Sequence, residues 1–180
     1  MANPFQVLLA ALAEAECQFL LIGVAGVNYY ATAGSVLFVT RDRDLFLPSG
    51  PENLLRIWRV CEHQRLELTL AGEPLDMPRD SWLAQRVVER RALTHARDGR
   101  GLEVDLTLVM SGFEFDAVWS ERRVFIADGV EIPVARLDHI VQSKASAGRP
   151  KDRLFLATHK EALRNLLSRD EGTNEGGGSP

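Results

Sequence analysis

An α/β (or α+β) fold with a mixed sheet is what the sequence predicts, and three observations carry that expectation. Short strand-like runs interleave with segments of helical period along most of the chain. Two Asp-Gly turns, Asp98-Gly99 and Asp128-Gly129, lie between apolar or alternating runs and mark antiparallel hairpins. The apolar run Phe19-Leu20-Leu21-Ile22 ends at Gly23 just before a helical pattern, as a buried strand does.

Taken in order, Asn3-Pro4 is a helix start, because Asn caps free amides and Pro is tolerated at the first helical position. The stripe Phe5, Leu8, Leu9, Leu12 carries that helix to Glu16, and the strand from Phe19 to Ile22 follows. Val24 to Ala33 suits a second helix closed by Gly34 as a left-handed cap. Asp42 to Leu47 reads as a strand that Pro48-Ser49-Gly50-Pro51 ends, and Leu54, Leu55, Trp58 and Cys61 mark a third helix. Leu66 to Leu70 alternates as a strand, and Asp80 caps a helix through Arg91. Ala92–Ala96 and Leu102–Met110 form the first hairpin, and Val124–Ala127 and Val130–Val134 the second. Phe113, Phe115, Val118 and Trp119 suit a helix packed on the sheet, and Trp58, Trp82 and Trp119 are expected in a core or an interface. From Leu137 to Ala147 the chain is helical, Gly148-Arg149-Pro150 interrupts it, and helices run on through Leu167 before a Gly- and Ser-rich tail expected to be disordered.

Composition bounds the function. Of the 180 residues, 46% are hydrophobic and 26% charged, which excludes wholesale disorder. The net charge of −4 gives no broad basic field, which argues against coating duplex nucleic acid while leaving room for a local basic pocket. No apolar run reaches the ~18 residues of a membrane span. The first residues lack a basic region and carry Glu14 and Glu16, so no secretory leader is expected. Cys17 and Cys61 are read as reduced thiols, and the location as cytoplasmic.

The chemistry concentrates in carboxylates. On a strand from Asp42 to Leu47, Asp42 and Asp44 lie about 6.6 Å apart on one face. Two acids so close repel unless a cation intervenes, and hard oxygen donors suit Mg²⁺ or Mn²⁺. A charged strand end neutralised by Arg41 and Arg43 is the alternative. In Leu102–Leu108 the apolar residues alternate with Glu103, Asp105 and Thr107, so Asp105 faces away from the core. Beside the Asp42 strand it would complete a set of three carboxylates, enough to hold two metal ions for phosphoryl transfer.

Four segments, Phe19–Gly23, Thr40-Arg41-Asp42-Arg43-Asp44-Leu45, Val104-Asp105-Leu106, and Leu137–Lys144 with Ala147–Asp152, resemble in order and spacing the nucleotidyltransferase superfamily of the polymerase-β-like fold. Within it they look most like the AbiEii-like branch of toxin–antitoxin and abortive-infection enzymes. The resemblance implies a mixed β-sheet of the nucleotidyltransferase fold flanked by helices, with a core over 1–135, a C-terminal helical segment over 136–169 and a tail over 170–180. It implies an NTP substrate and Mg²⁺ (or Mn²⁺), with Asp42 and Asp44 holding both metals and Asp105 completing one site and activating the acceptor hydroxyl. Gly23, Val24 and Thr40 would border the nucleotide, and Lys144, Arg149, Lys151 and Asp152 the phosphates. The family carries a second small residue directly after the glycine, where this chain has Val24.

Lys144 is expected to stand exposed near a helix end, and Asp152 either joins the active region, pairs with Arg149 or caps the helix after Pro150. His63, His95, His139 and His159 have no metal-type spacing, and His95 is expected on a strand surface unless its strand lies opposite Asp105. No nucleophile elbow, P-loop or dinucleotide fingerprint occurs. The expected activity is transfer of an NMP from an NTP to a hydroxyl of RNA (a tRNA end, for instance), a protein or a small molecule. A cognate antitoxin is a possible partner, and no membrane is expected. The alternatives are a binding or regulatory protein of the same fold without turnover, and a two-metal phosphohydrolase.

Overall fold

The computed structural model describes residues 3–31 and 37–174. Helix α1 (Pro4–Glu14) starts where the Asn3 side chain accepts the Phe5 amide, and it buries Phe5, Leu8, Leu9 and Leu12. Strand β1 (Leu20–Ile22) runs straight into α2 (Gly23–Asn28). The second helix is therefore shorter than the expected Val24–Ala33, and the Gly34 cap lies outside the described residues. β2 (Asp44–Phe46) begins two residues after the expected start, so Asp42 precedes the strand. α3 (Pro51–His63) buries Leu54, Ile57, Trp58 and Cys61. β3 (Glu67–Leu70), the short β4 (Glu73–Pro74), which the sequence pattern does not mark, and α4 (Ser81–Glu89) follow. The Asp80 side chain accepts the Leu83 amide to cap α4. Trp82, on its first turn, is 66% exposed beside Arg86, which removes the core alternative for it and leaves that of an interface.

β5 (Thr94–Arg97) and β6 (Glu103–Thr107) form the first hairpin, and α5 (Phe115–Ser120) leads to the second, β7 (Arg123–Ala127) with β8 (Val130–Val134). α6 (Leu137–Ala147) ends at Gly148, whose φ of 59° is the left-handed cap. α7 (Pro150–Thr158) and α8 (Lys160–Asn174) complete the described chain, and α8 extends beyond Leu167 into the expected tail.

Among the described residues the strands form one sheet in the order β4-β3-β5-β6-β2-β1-β8-β7. The two hairpins flank a centre in which β2 runs parallel to β6 and antiparallel to β1, while β1 runs parallel to β8. Alternation along β5 and β6 turns Thr94, Ala96, Val104 and Leu106 to one buried face. Trp58 of α3 packs on that face, its indole Nε1–H donating to Thr94 Oγ1 at 3.4 Å. The opposite face carries His95, Asp105 and Thr107. Cys17 and Cys61 are free and buried.

Candidate active site

Strand register decides which acids meet. Asp44 opens β2 and stands directly across from Asp105 on the parallel strand β6, with Leu45 opposite Leu106 on the next rung. Neighbouring strands lie about 4.8 Å apart, and residues on one rung share a face, so the two carboxylates are lateral neighbours. On its other side Asp44 is paired with Ile22, the last residue of β1. Gly23 follows in a left-handed conformation (φ 66°), and a Cβ there would run into the Asp44 carboxylate. Glycine is required twice over, by backbone angle and by the closeness of that acid.

Burial, and then the charge of Asp105, push the Asp44 carboxyl up to about 6, against the opposing field of Lys144. The charge of Asp42 adds a smaller upward push. Asp42 itself precedes the strand. Its amide donates to Thr40 Oγ1 at 3.2 Å, which turns the chain before the strand begins. Its side chain, 61% exposed, faces Lys151 Nζ at 3.6 Å. Neither Asp42, Thr40 nor Lys151 is among the residues that line the cavity with Asp44 and Asp105, and because β2 starts at Asp44 the strand face expected to carry Asp42 beside Asp44 is not formed. Among the described residues no three His, Cys, Asp or Glu side chains cluster as a metal-binding set.

The cavity is about 330 Å³. One wall is the end of β1 with Gly23, then Asp44, Asp105 and Thr107. The second is a face of α6, Ile140, Ser143, Lys144 and Ala147, whose spacing is one helical stripe, with Arg149 just beyond. Leu93, Val109, Met110 and Ser111 make the third. Val24 is half-buried against the core and does not line it.

Beneath the cationic wall lies Asp152, 1% exposed, at the start of α7. Lys144 Nζ donates to its Oδ1 at 3.1 Å and Arg149 Nε to its Oδ2 at 2.6 Å. Burial pushes this carboxyl up, yet the hydrogen bonds and positive charges of Arg149 and Lys144 together outweigh it and hold the acid below its ordinary range. Of the readings open for Asp152, pairing with Arg149 is the one the geometry contains, with Lys144 added. Lys144 is only 14% exposed at its side chain, so the expectation of a free, exposed lysine is corrected.

Thr107, Ser111 and Ser143 line the cavity as well, and no motif in the sequence marks them. Thr107 was within reach, two residues beyond Asp105 on the same strand face, and Ser143 falls on the Ile140–Lys144 stripe. His95 takes the arrangement that depended on strand adjacency: it is paired with Asp105 across the hairpin, and its Nδ1 lies 2.6 Å from Asp105 Oδ1.

No family model matches the sequence, and no curated protein does. Solved structures do match. A lincosamide antibiotic adenylyltransferase, LnuA, in its lincomycin-bound form, superposes with a TM-score of 0.58 at 12% identity, covering 93% of this chain and 97% of its own. The antibiotic-resistance factor ANT(2'')-Ia superposes with a TM-score of 0.51 at 15% identity, covering 96% of this chain and 92% of its own. At such identities the likeness concerns architecture, and the architecture is the nucleotidyltransferase fold, a mixed sheet flanked by helices.

Proposed function

We propose that this chain is a nucleotidyltransferase that moves an NMP from an NTP to a hydroxyl of a small molecule, using Asp44 and Asp105. The observation that carries this reading is the rung Asp44–Asp105 lining one cavity with Lys144 and Arg149. The acid pair fits a divalent cation: both members are hard oxygen donors, side by side, and Asp44 is already destabilised as an anion by burial and by its neighbour. A bound Mg²⁺ or Mn²⁺ would neutralise the phosphate oxygens during transfer.

The chain's own groups divide the remaining work. Arg149 is anchored through Nε to Asp152, which leaves its terminal nitrogens uncommitted among the described residues and suited to phosphate oxygens. Lys144 supplies fixed positive charge beside Asp44. Asp105 takes the proton of the acceptor hydroxyl as that oxygen bonds to the α-phosphorus and pyrophosphate leaves.

A small acceptor is favoured by the cavity's size, at the lower end of ordinary ligand pockets, and by its mix of apolar wall and hydroxyls. The absence of a broad basic field points the same way, as does the lincomycin bound to LnuA. The AbiEii-like reading, with an RNA or protein hydroxyl as acceptor, draws its support from the Lys144-to-Asp152 spacing. The burial of Asp152 and the pairing of Lys151 with Asp42 weigh against it. A binding protein without turnover is the second reading, and the observation that favours it is that Asp42 faces Lys151 and is not among the cavity's lining residues.

Incubation with each α-labelled NTP, Mg²⁺ or Mn²⁺, and in separate arms lincomycin with other hydroxylated antibiotics, total bacterial RNA, and lysate protein, tests the proposal. Label on a small molecule with pyrophosphate release, lost in Asp44→Asn, is the expected result. Label on RNA or protein instead would replace the acceptor class. Nucleotide bound but transferred to nothing would establish the binding reading.

A further inference from the structure

His95, Asp105 and Asp44 occupy one continuous rung across three strands, β5, β6 and β2. Asp105 sits in the middle, with a like charge on one side and an imidazole on the other. His95 Nδ1 lies 2.6 Å from Asp105 Oδ1, and no other hydrogen bond to that carboxylate occurs among the described residues. His95 does not itself line the cavity, whereas Asp105 does.

We propose that His95 is a positioning residue for Asp105, clamping one carboxylate oxygen so that the acid stays beside Asp44. The role rests on the nucleotidyltransferase reading given above. An ionised carboxylate only accepts hydrogen bonds, so the imidazole nitrogen facing it carries the proton and donates. Such a bond to an anion is short and stronger than a neutral one. It is needed because Asp105 is a third exposed, its terminal torsion is soft, and repulsion from Asp44 drives it away from the cavity. Holding a cation-binding carboxylate from behind with a second hydrogen-bonding group is the general way a binding geometry is fixed before the ion arrives.

An ordinary cross-strand pair would hold the hairpin together and do nothing more. The two roles separate in a calorimetric Mn²⁺ titration of the full chain as wild type, His95→Ala, His95→Asn and His95→Gln. Asn places an N–H donor where Nδ1 stands, whereas Gln places it one bond further out, at the position of Nε2. Wild type and His95→Asn should bind Mn²⁺ within about threefold of each other, and His95→Ala and His95→Gln about tenfold or more weaker. In the transfer assay the same two variants should lose kcat with the acceptor KM unchanged.

Equal Mn²⁺ affinity in wild type and His95→Ala, or His95→Asn no better than His95→Gln, would overturn the role. If His95→Ala does not fold, the contrast between Asn and Gln decides alone. A wild type that binds no Mn²⁺ would remove the nucleotidyltransferase reading and this role with it, an outcome visible without any variant.

Discussion

At Asp44 two costs coincide, a largely buried carboxylate and a like charge on the adjacent strand. Its carboxyl is pushed up to about 6 from an ordinary 3.8, so the folded state holds this proton more tightly than the unfolded chain. The sign follows: the stabilising contribution is complete below about pH 4 and is lost as pH rises through about 6. Without a divalent cation, the wild type should lose about 3 kcal/mol relative to Asp44→Asn across that window. Urea denaturation in chelator at a series of pH values measures it, and a difference that stays flat with pH would contradict the account. Gly23 answers to the same carboxylate. Gly23→Ala should cost about 1–2 kcal/mol through its left-handed backbone, and should also push the Asp44 side chain out of place. The expected pattern is a modest fall in Tm with loss of Mn²⁺ binding, since the atom a Cβ would meet is the movable end of a side chain.

Among the elements, the junction of α6 and α7 governs the cationic wall. Gly148 turns the chain and α7 returns with Asp152 buried under Lys144 and Arg149. Lys144→Ala should therefore cost about 1–3 kcal/mol, because it leaves a buried acid with one partner fewer. Chemical denaturation at neutral pH checks this, and a variant as stable as wild type would show that Arg149 alone satisfies Asp152. The sequence made the helix break legible, through Gly148 and Pro150. It made the Arg149–Asp152 pair one of the readings for Asp152 but not the Lys144–Asp152 pair, since nothing in the spacing says which side of α7 meets α6. Asp42 illustrates the same limit at a strand end. The alternation from Asp42 to Leu47 reads as one strand, but pairing with β1 stops at Ile22–Asp44, and the Thr40 turn takes Asp42 away toward Lys151. Period-two patterning places side chains on faces only as far as the ladder extends.

For the molecule as a whole, the hairpins, the strand–glycine–helix turn at Ile22–Gly23 and the C-terminal helices were legible from local pattern and turn chemistry, and the sheet they build is the nucleotidyltransferase fold. The strand order was not, because β2 reaches β6 across more than fifty residues of intervening chain. That long-range parallel pairing is what sets Asp44 beside Asp105, and the first hairpin is what sets His95 on the other side of Asp105. The central claim is that these two carboxylates together bind a nucleotide through a divalent cation. Calorimetric titration of each NTP into wild type, Asp44→Asn and Asp105→Asn at pH 7.5, with Mg²⁺ and again with chelator, tests it most directly. Wild type should bind only with Mg²⁺, and each variant should bind about tenfold or more weaker, a loss of about 1.4 kcal/mol or greater. Binding that persists in chelator, or that is equal in all three proteins, would contradict it.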